Sequence, residues 1–162
     1  LISDGHTRLV LAGGKGWLYE DLLARIEALN LSKQVIFAGY VPGDVLPWWY
    51  NAAVALVYPS LYEGFGFPVI EAQACGTPVL TSNVSSLPEA AGDAAVMVDP
   101  YDVEALAAGL HRLLTDGALR QELRGRGLAH AQQFSWPRTA QGTARVYWRA
   151  MIKPEGSEGE RL

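Results

Sequence analysis

The apolar positions of the chain follow two alternating rhythms. Short runs bounded by Gly or Pro occupy residues 8–12, 34–38, 54–58, 78–82 and 95–98. They have the length and bounding residues of buried strands. Between them, apolar residues recur at helical spacing over residues 17–29, 44–53 and 68–75, then in one turn at 87–91. Further helices are predicted from Asp102, a ready N-cap, to about residue 115, over 118–134 and over 137–151. Strands alternating with helices at this pitch predict an α/β fold, a parallel sheet with flanking helices. Right-handed crossovers place every strand-to-helix loop at one sheet edge. Residues 13–14, 39–42, 59–67 and 82–88 therefore gather at the edge where open sheets bind ligands.

Composition narrows the function classes. A chain of 162 residues, half of them hydrophobic, suits one domain with a substantial core and excludes disorder as its general state. Residues 1–152 read as that domain and 153–162, polar and glycine-rich, as a disordered tail. A net charge of −4 gives no support to nucleic-acid binding. Cys75 is the single cysteine, so no internal disulfide exists, as suits a reducing compartment. No apolar run reaches the ~18 residues of a membrane helix, and no leader peptide is visible at the start.

One stretch carries more chemistry than the rest: Glu63-Gly-Phe-Gly-Phe-Pro-Val-Ile-Glu71. It follows a short apolar strand, turns on Gly64 and Gly66, and reaches a helix start at which Pro68 suits the first helical position. Amides at a helix start lack intrahelical acceptors and sit at the positive end of the dipole, which makes them a seat for phosphate. The two carboxylates can accept hydrogen bonds from hydroxyls, and diphosphate plus hydroxyls describes a nucleotide sugar. On the residues alone, a surface Glu63 and a Glu71 placed favourably against the helix dipole are an equal reading.

The segment Ser60-Leu-Tyr-Glu-Gly-Phe-Gly-Phe-Pro-Val-Ile-Glu-Ala-Gln-Ala-Cys-Gly-Thr-Pro-Val79 resembles the donor-site motif of retaining glycosyltransferases of family 4, the two-glutamate motif of the GT-B fold. The likeness extends to Leu9-Val-Leu-Ala-Gly-Gly14, Val35-Ile-Phe-Ala-Gly-Tyr-Val-Pro42, Ser82-Asn-Val-Ser-Ser-Leu-Pro-Glu89, Gly92-Asp-Ala-Ala95 and Phe134-Ser-Trp136. It covers about residues 8–150 and is nearest to bacterial mannosyltransferase-like members. The resemblance implies a Rossmann-like C-terminal domain of a two-domain enzyme, binding the nucleotide-sugar donor. It implies Glu63 as the catalytic residue at the donor hexose, and Gly64, Phe65, Gly66 and Pro68 as the turn around the sugar and distal phosphate. Val69 and Ile70 would serve the diphosphate, Glu71 the ribose, Tyr40 and Val41 the base, with Gly13 at the same edge. It implies transfer with retention, no metal and no cofactor beyond the donor, in the cytoplasm or peripherally at the inner membrane face. Mannose from GDP-mannose is the favoured donor, with UDP-glucose next, and the acceptor is a glycan or a lipid-linked sugar. The alternative is a non-catalytic module that holds a nucleotide sugar.

Departures from the family pattern shape further expectations. The Gly-Arg segment and lysine that neutralise the leaving diphosphate have no match here, nor does Lys15 replace the latter. The chain thus reads as a donor-binding fragment without its acceptor domain and without the central first strand of the sheet, and it is expected to have negligible activity alone. The strands at 9–12 and 54–58 then face a gap, filled by an upstream piece or by self-association.

The remaining residues read plainly. Cys75 reads as a core thiol, and His111 and His130 as surface helix residues. His6 lies in a loose segment, and no histidine has metal-ligand spacing. Trp48 and Trp49 suit packing on the sheet or on the absent domain, and Arg120, Arg124 and Arg126 a solvated helix face. Ser60 and Ser82 have no histidine partner nearby for a hydrolase. Gly14-Lys-Gly16 lacks the third glycine of a dinucleotide fingerprint, and a P-loop is absent.

Overall fold

The computed structural model describes residues 7–14 and 19–152. His6, Lys15, Trp17 and the expected tail lie outside the described residues. Strands and helices alternate as β1 (Leu9–Ala12), α1 (Tyr19–Ala28), β2 (Val35–Gly39), α2 (Leu46–Ala52), β3 (Leu56–Tyr58), α3 (Phe67–Ala74), β4 (Val79–Ser82), α4 (Leu87–Ala91) and β5 (Val96–Val98). Three helices follow: α5 (Val103–Thr115), α6 (Gly117–Ala131) and α7 (Trp136–Ile152).

All strand pairs are parallel, but they form two sheets. β1 pairs with β2, Leu9 opposite Val35, with the register shifting after Leu11. β4 lies between β3 and β5, with Leu56 opposite Val79 and Leu80 opposite Val96. Among the described residues no strand joins β1 to β3, and each of the two pairs along one edge only.

The core forms around β4, whose four residues are all buried. Successive side chains of a strand point to opposite faces. Val79 accordingly packs with Val69 and Ala72 of α3 and with Leu87 and Ala91 of α4. Its neighbour Leu80 packs with Leu113 of α5 and Leu123 of α6. A strand covered on both faces reads as a continuous buried run rather than an alternating one. Asp102 and Asp116 cap α5 and α6, accepting from Ala105 N and Leu119 N at 2.9 Å each.

Several expectations are corrected. α3 begins at Phe67, so Pro68 is its second residue, and Gly66 is the N-cap. α2 begins at Leu46 with Val45 as N-cap, and Asp44 gives it no cap. Trp48 and Trp49 are exposed, and Tyr50 is the aromatic of that helix that reaches the core. α6 ends at Ala131, which leaves Phe134 in the link to α7. His130 is half-buried, not a surface residue. Arg124 and Arg126 are exposed, as a solvated face requires, though they donate to Gly76 O and Asp93 O, whereas Arg120 is half-buried and donates to the carbonyls of Leu113 and Leu114. The acceptors of Arg120 and Arg124 lie at the ends of α5 and α3, where terminal carbonyls lack intrahelical donors. Cys75 is the C-cap of α3 and only partly buried, and burial, then the charge of Glu71, pushes its thiol pKa up. It is a poor thiolate.

Candidate functional site

The loops after β3 and β4 meet at the carboxyl edge of the three-stranded sheet. Residues 59–66 leave β3 and enter α3, and residues 83–86 leave β4 and enter α4. Two hydrogen bonds stitch these loops together at Glu63. Its N–H donates to Ser85 Oγ at 3.2 Å, and Ser86 Oγ donates to its carbonyl at 2.9 Å. Ser85 reaches this position with φ of 55°, the left-handed region that non-glycine residues rarely enter.

The Glu63 side chain is half-buried and fixed at one oxygen. Tyr58, the last residue of β3, donates its hydroxyl to Oε1 at 2.5 Å, and Ser60 donates to the same oxygen at 2.8 Å. Oε2 has no partner among the described residues and can receive a ligand hydroxyl. Burial raises the Tyr58 pKa, the hydrogen bond to Glu63 raises it further, and Ser60 opposes it. The phenol therefore stays a donor.

Glu71 has a parallel support. It lies on the exposed side of α3, and Tyr50 of α2 donates to its Oε2 at 3.0 Å. Burial, then the hydrogen bond and charge of Glu71, hold the Tyr50 phenol far above its ordinary pKa. Each glutamate of the motif is thus anchored by a tyrosine from another element and keeps its second oxygen unbonded among the described residues.

Between the glutamates the backbone is open. Gly64 borders empty space, since an added Cβ would meet nothing within 4 Å. Gly66 is different. Its φ is 100°, and a Cβ there would lie 2.9 Å from Leu87 Cδ2 and 3.3 Å from Ala90 Cβ. Its missing side chain lets α3 start against α4 rather than clearing space for an anion. Among the described residues, the amides of Phe65, Gly66 and Phe67 have no acceptor. Pro68 has no N–H, and Val69 N–H already donates to Gly66 O at 3.1 Å. The unoccupied donors therefore lie two to four residues before Val69, the first of the Val69–Ile70 pair that the sequence singles out. Ile70 is buried in the first turn and a half of α3.

The residues expected at the base belong to the other sheet. Gly13 has φ of 137° and donates to Gly39 O at 2.8 Å. Tyr40 is exposed and Val41 buried. No hydrogen bond or ring contact joins any of the three to Glu63, Glu71 or the turn between them. A separate open groove of about 390 Å³ lies at the opposite, amino ends of β3 and β4, lined by Asn51, Val54, Gly76, Arg120 and Arg124. It contains neither motif glutamate nor any residue of the turn between them. Among the described residues no group of His, Cys, Asp and Glu could hold a metal ion, and no helix is long and apolar enough to cross a membrane.

Sequence reasoning missed Tyr50, Tyr58, Ser85, Ser86 and the Phe67 amide. Tyr58 and Ser60 stand five and three residues before Glu63, so their reach was available from spacing. Tyr50 lies 21 residues from Glu71, and nothing local announces that pair.

Residues 2–129 match the family model described as glycosyl transferases group 1. The chain is 45% identical over 139 residues to O-antigen chain mannosyltransferase B of Escherichia coli, covering 86% of this chain and 36% of that protein. Among solved structures, sucrose-phosphate synthase from Thermosynechococcus elongatus superposes with a TM-score of 0.80 at 31% identity, covering 91% of this chain and 39% of that one. Anabaena HepE in complex with UDP-glucose has the same fold, with a TM-score of 0.78 at 22% identity over 88% of this chain and 41% of that one. The chain spans only part of the curated relatives it matches, from 14% to 36% of their length. It has the α/β architecture, parallel strands with flanking helices, of the C-terminal part of GT-B glycosyltransferases. Over most of its length, then, this chain belongs to the group 1 glycosyltransferase family.

Proposed function

We propose that this chain is the donor-binding part of a retaining glycosyltransferase that moves a hexose from a nucleotide sugar to a glycan or lipid-linked acceptor. The observation that carries the reading is the row of unbonded amides at Phe65, Gly66 and Phe67, flanked by two tyrosine-anchored carboxylates. Amides at a helix start match phosphate oxygens in direction and sign. Glu71 is the ribose partner, because a carboxylate beside a diphosphate is better used on a neutral diol. Glu63, with Oε2 unbonded, is the hexose partner, accepting from sugar hydroxyls and stabilising positive charge that develops at the anomeric carbon. Tyr40 and Val41 border the base. The reaction is read as metal-independent, in line with the family likeness, with the unbonded amides meeting part of the phosphate charge.

GDP-mannose is the preferred donor, supported by the 45% identity to a mannosyltransferase. UDP-glucose is second, the ligand that HepE holds on the same fold. The whole enzyme works in the cytoplasm or at the inner membrane face, and the acceptor half is supplied outside the region matched here. These 162 residues alone bind donor without appreciable transfer. A second reading is a module that binds nucleotide sugar without any transfer.

Calorimetric titration with GDP-mannose and UDP-glucose tests the binding, with Glu71→Gln weakening it and a Glu63→Gln full-length enzyme losing transfer. Absence of binding to either nucleotide sugar by the wild-type chain would sink the donor-site reading. Binding without transfer by the full-length protein would favour the second reading.

A further inference from the structure

The backbone of the turn has few hydrogen bonds of its own. Glu63 is held at the entry by Ser85 and Ser86, and Gly66 O accepts from Val69 at the exit. Between those points the turn includes Gly64 and a Gly66 at φ of 100°, two residues with wide conformational freedom. What orients it is a set of ring contacts to the α6–α7 junction. Phe65 meets Phe67 edge-on with centroids 5.0 Å apart, and Phe134 edge-on at 5.9 Å. Phe67 lies against Trp136 at 6.2 Å with the rings tilted by 32°. His130 backs Phe134 at 5.2 Å.

His130 is itself firmly seated. Its Nε2 lies 3.2 Å from Ala90 O, and its ring lies against Gly92, where a Cβ would come within 2.6 Å of Cε1. The chain of contacts therefore runs from α4 through His130 and Phe134 to Phe65, and from Phe67 to the first residue of α7. Phe65 and Phe67 are the residues whose amides, with that of Gly66, have no acceptor among the described residues. A ring fixed in place fixes its own Cα–Cβ direction, and with it the plane of the adjoining amide. Trp136 is exposed and α7 has no buried residue, so displacement of α7 acts on Phe67 without disturbing the core.

We propose that Phe134 and Trp136 are positioning residues for the amides of Phe65, Gly66 and Phe67, and that through them the placement of α7 sets affinity for the diphosphate of the donor. The inference rests on the donor-site reading above, but its test separates the two. In the 162-residue chain, Phe134→Ala and Trp136→Ala are compared with Phe134→Tyr and Trp136→Phe. Two quantities are read: the affinity for GDP-mannose and UDP-glucose, and the backbone order parameters of the residue 65–67 amides without ligand. Each alanine variant lowers those order parameters and weakens the nucleotide sugar that the wild type binds by about tenfold, the scale of one aromatic pair. The aromatic replacements restore both. A merely structural role would lower the melting temperature while leaving the order parameters of residues 65–67 unchanged in the folded variant. Should Phe134→Ala fail to fold, Trp136→Ala decides, because its side chain is largely in solvent. Unchanged order parameters in Trp136→Ala overturn the proposal. A wild type that binds neither nucleotide sugar overturns the donor-site reading and with it the affinity claim, while the order parameters still decide whether the rings hold the turn.

Discussion

Tyr58 donates its hydroxyl to Glu63 Oε1 at 2.5 Å, from the last residue of β3 to a carboxylate five positions on. Ser60 donates to the same oxygen, so the pair leaves Oε2 without a partner among the described residues. The arrangement orients a carboxylate without neutralising it. Removing the phenolic hydroxyl should free the side chain to rotate. Tyr58→Phe is expected to lower sugar transfer by the full-length enzyme roughly tenfold, the scale of one hydrogen bond to a charged group. Folding stability should fall by no more than about 1–2 kcal/mol. Steady-state rates and urea denaturation of the same variant check the two effects, and an unaltered rate would remove Tyr58 from the site.

Gly66→Ala tests the geometry of the turn. A Cβ at φ of 100° is strained in itself, and here it would also press on Leu87 Cδ2 at 2.9 Å, part of the buried cluster between α3 and α4. The variant should lose about 1–3 kcal/mol of stability and bind nucleotide sugar poorly. Gly64→Ala, with open space around it, should fold normally and act on binding alone. Equal stability losses in the two variants would contradict this assignment.

Alkaline pH should weaken the fold through Tyr50 and Tyr58. Both have folded-state pKa values raised above the ordinary 10.0, first by burial and then by hydrogen bonds to Glu71 and Glu63. A raised pKa means that the folded state binds its proton more tightly than the unfolded chain does. The associated stability is fully present below pH 10 and is lost as pH rises from there through the folded-state values. Tyr50→Phe has no such proton to lose. Its stability should decline less steeply between pH 10 and 12 than that of the wild type, and denaturant titrations across that interval measure the difference.

The unpaired edges of β1 and β3 predict association of the isolated chain. Among the described residues each strand pairs on one side only, and an open strand edge is a template for another strand. Leu9, Val10, Ile36 and Phe37 of the two-stranded sheet also remain exposed. Sedimentation of the 162-residue chain should show dimers or larger species at increasing concentration. A monomer at every concentration would show that the edges are harmless.

Most of the architecture was legible before any coordinates. Predicted strand and helix positions agree with the structure to within one to three residues at almost every boundary, because Gly and Pro punctuate this chain and the strands are short apolar runs. Errors appeared where tertiary contacts outweigh local pattern. The 118–134 helix stops at Ala131 because Phe134 leaves the helical path to meet His130 and Phe65. His130 looked like a surface residue because its own helix is polar, yet the absent side chain of Gly92 makes room for its ring. Arg120 looked like part of a solvated row, and only the approach of α5 supplies the carbonyls it binds.

The order of elements, the parallel strands, the glycine turn before α3 and the two motif glutamates all follow from the amino-acid sequence, because each depends on residue type at short spacing. Which oxygen of each glutamate is already bonded, which amides of the turn have no acceptor and which rings hold that turn were decided by the tertiary structure alone. Those features depend on where Tyr50, Ser85, Phe134 and Trp136 arrive in space, and contacts between residues twenty to seventy positions apart leave no mark in a local pattern.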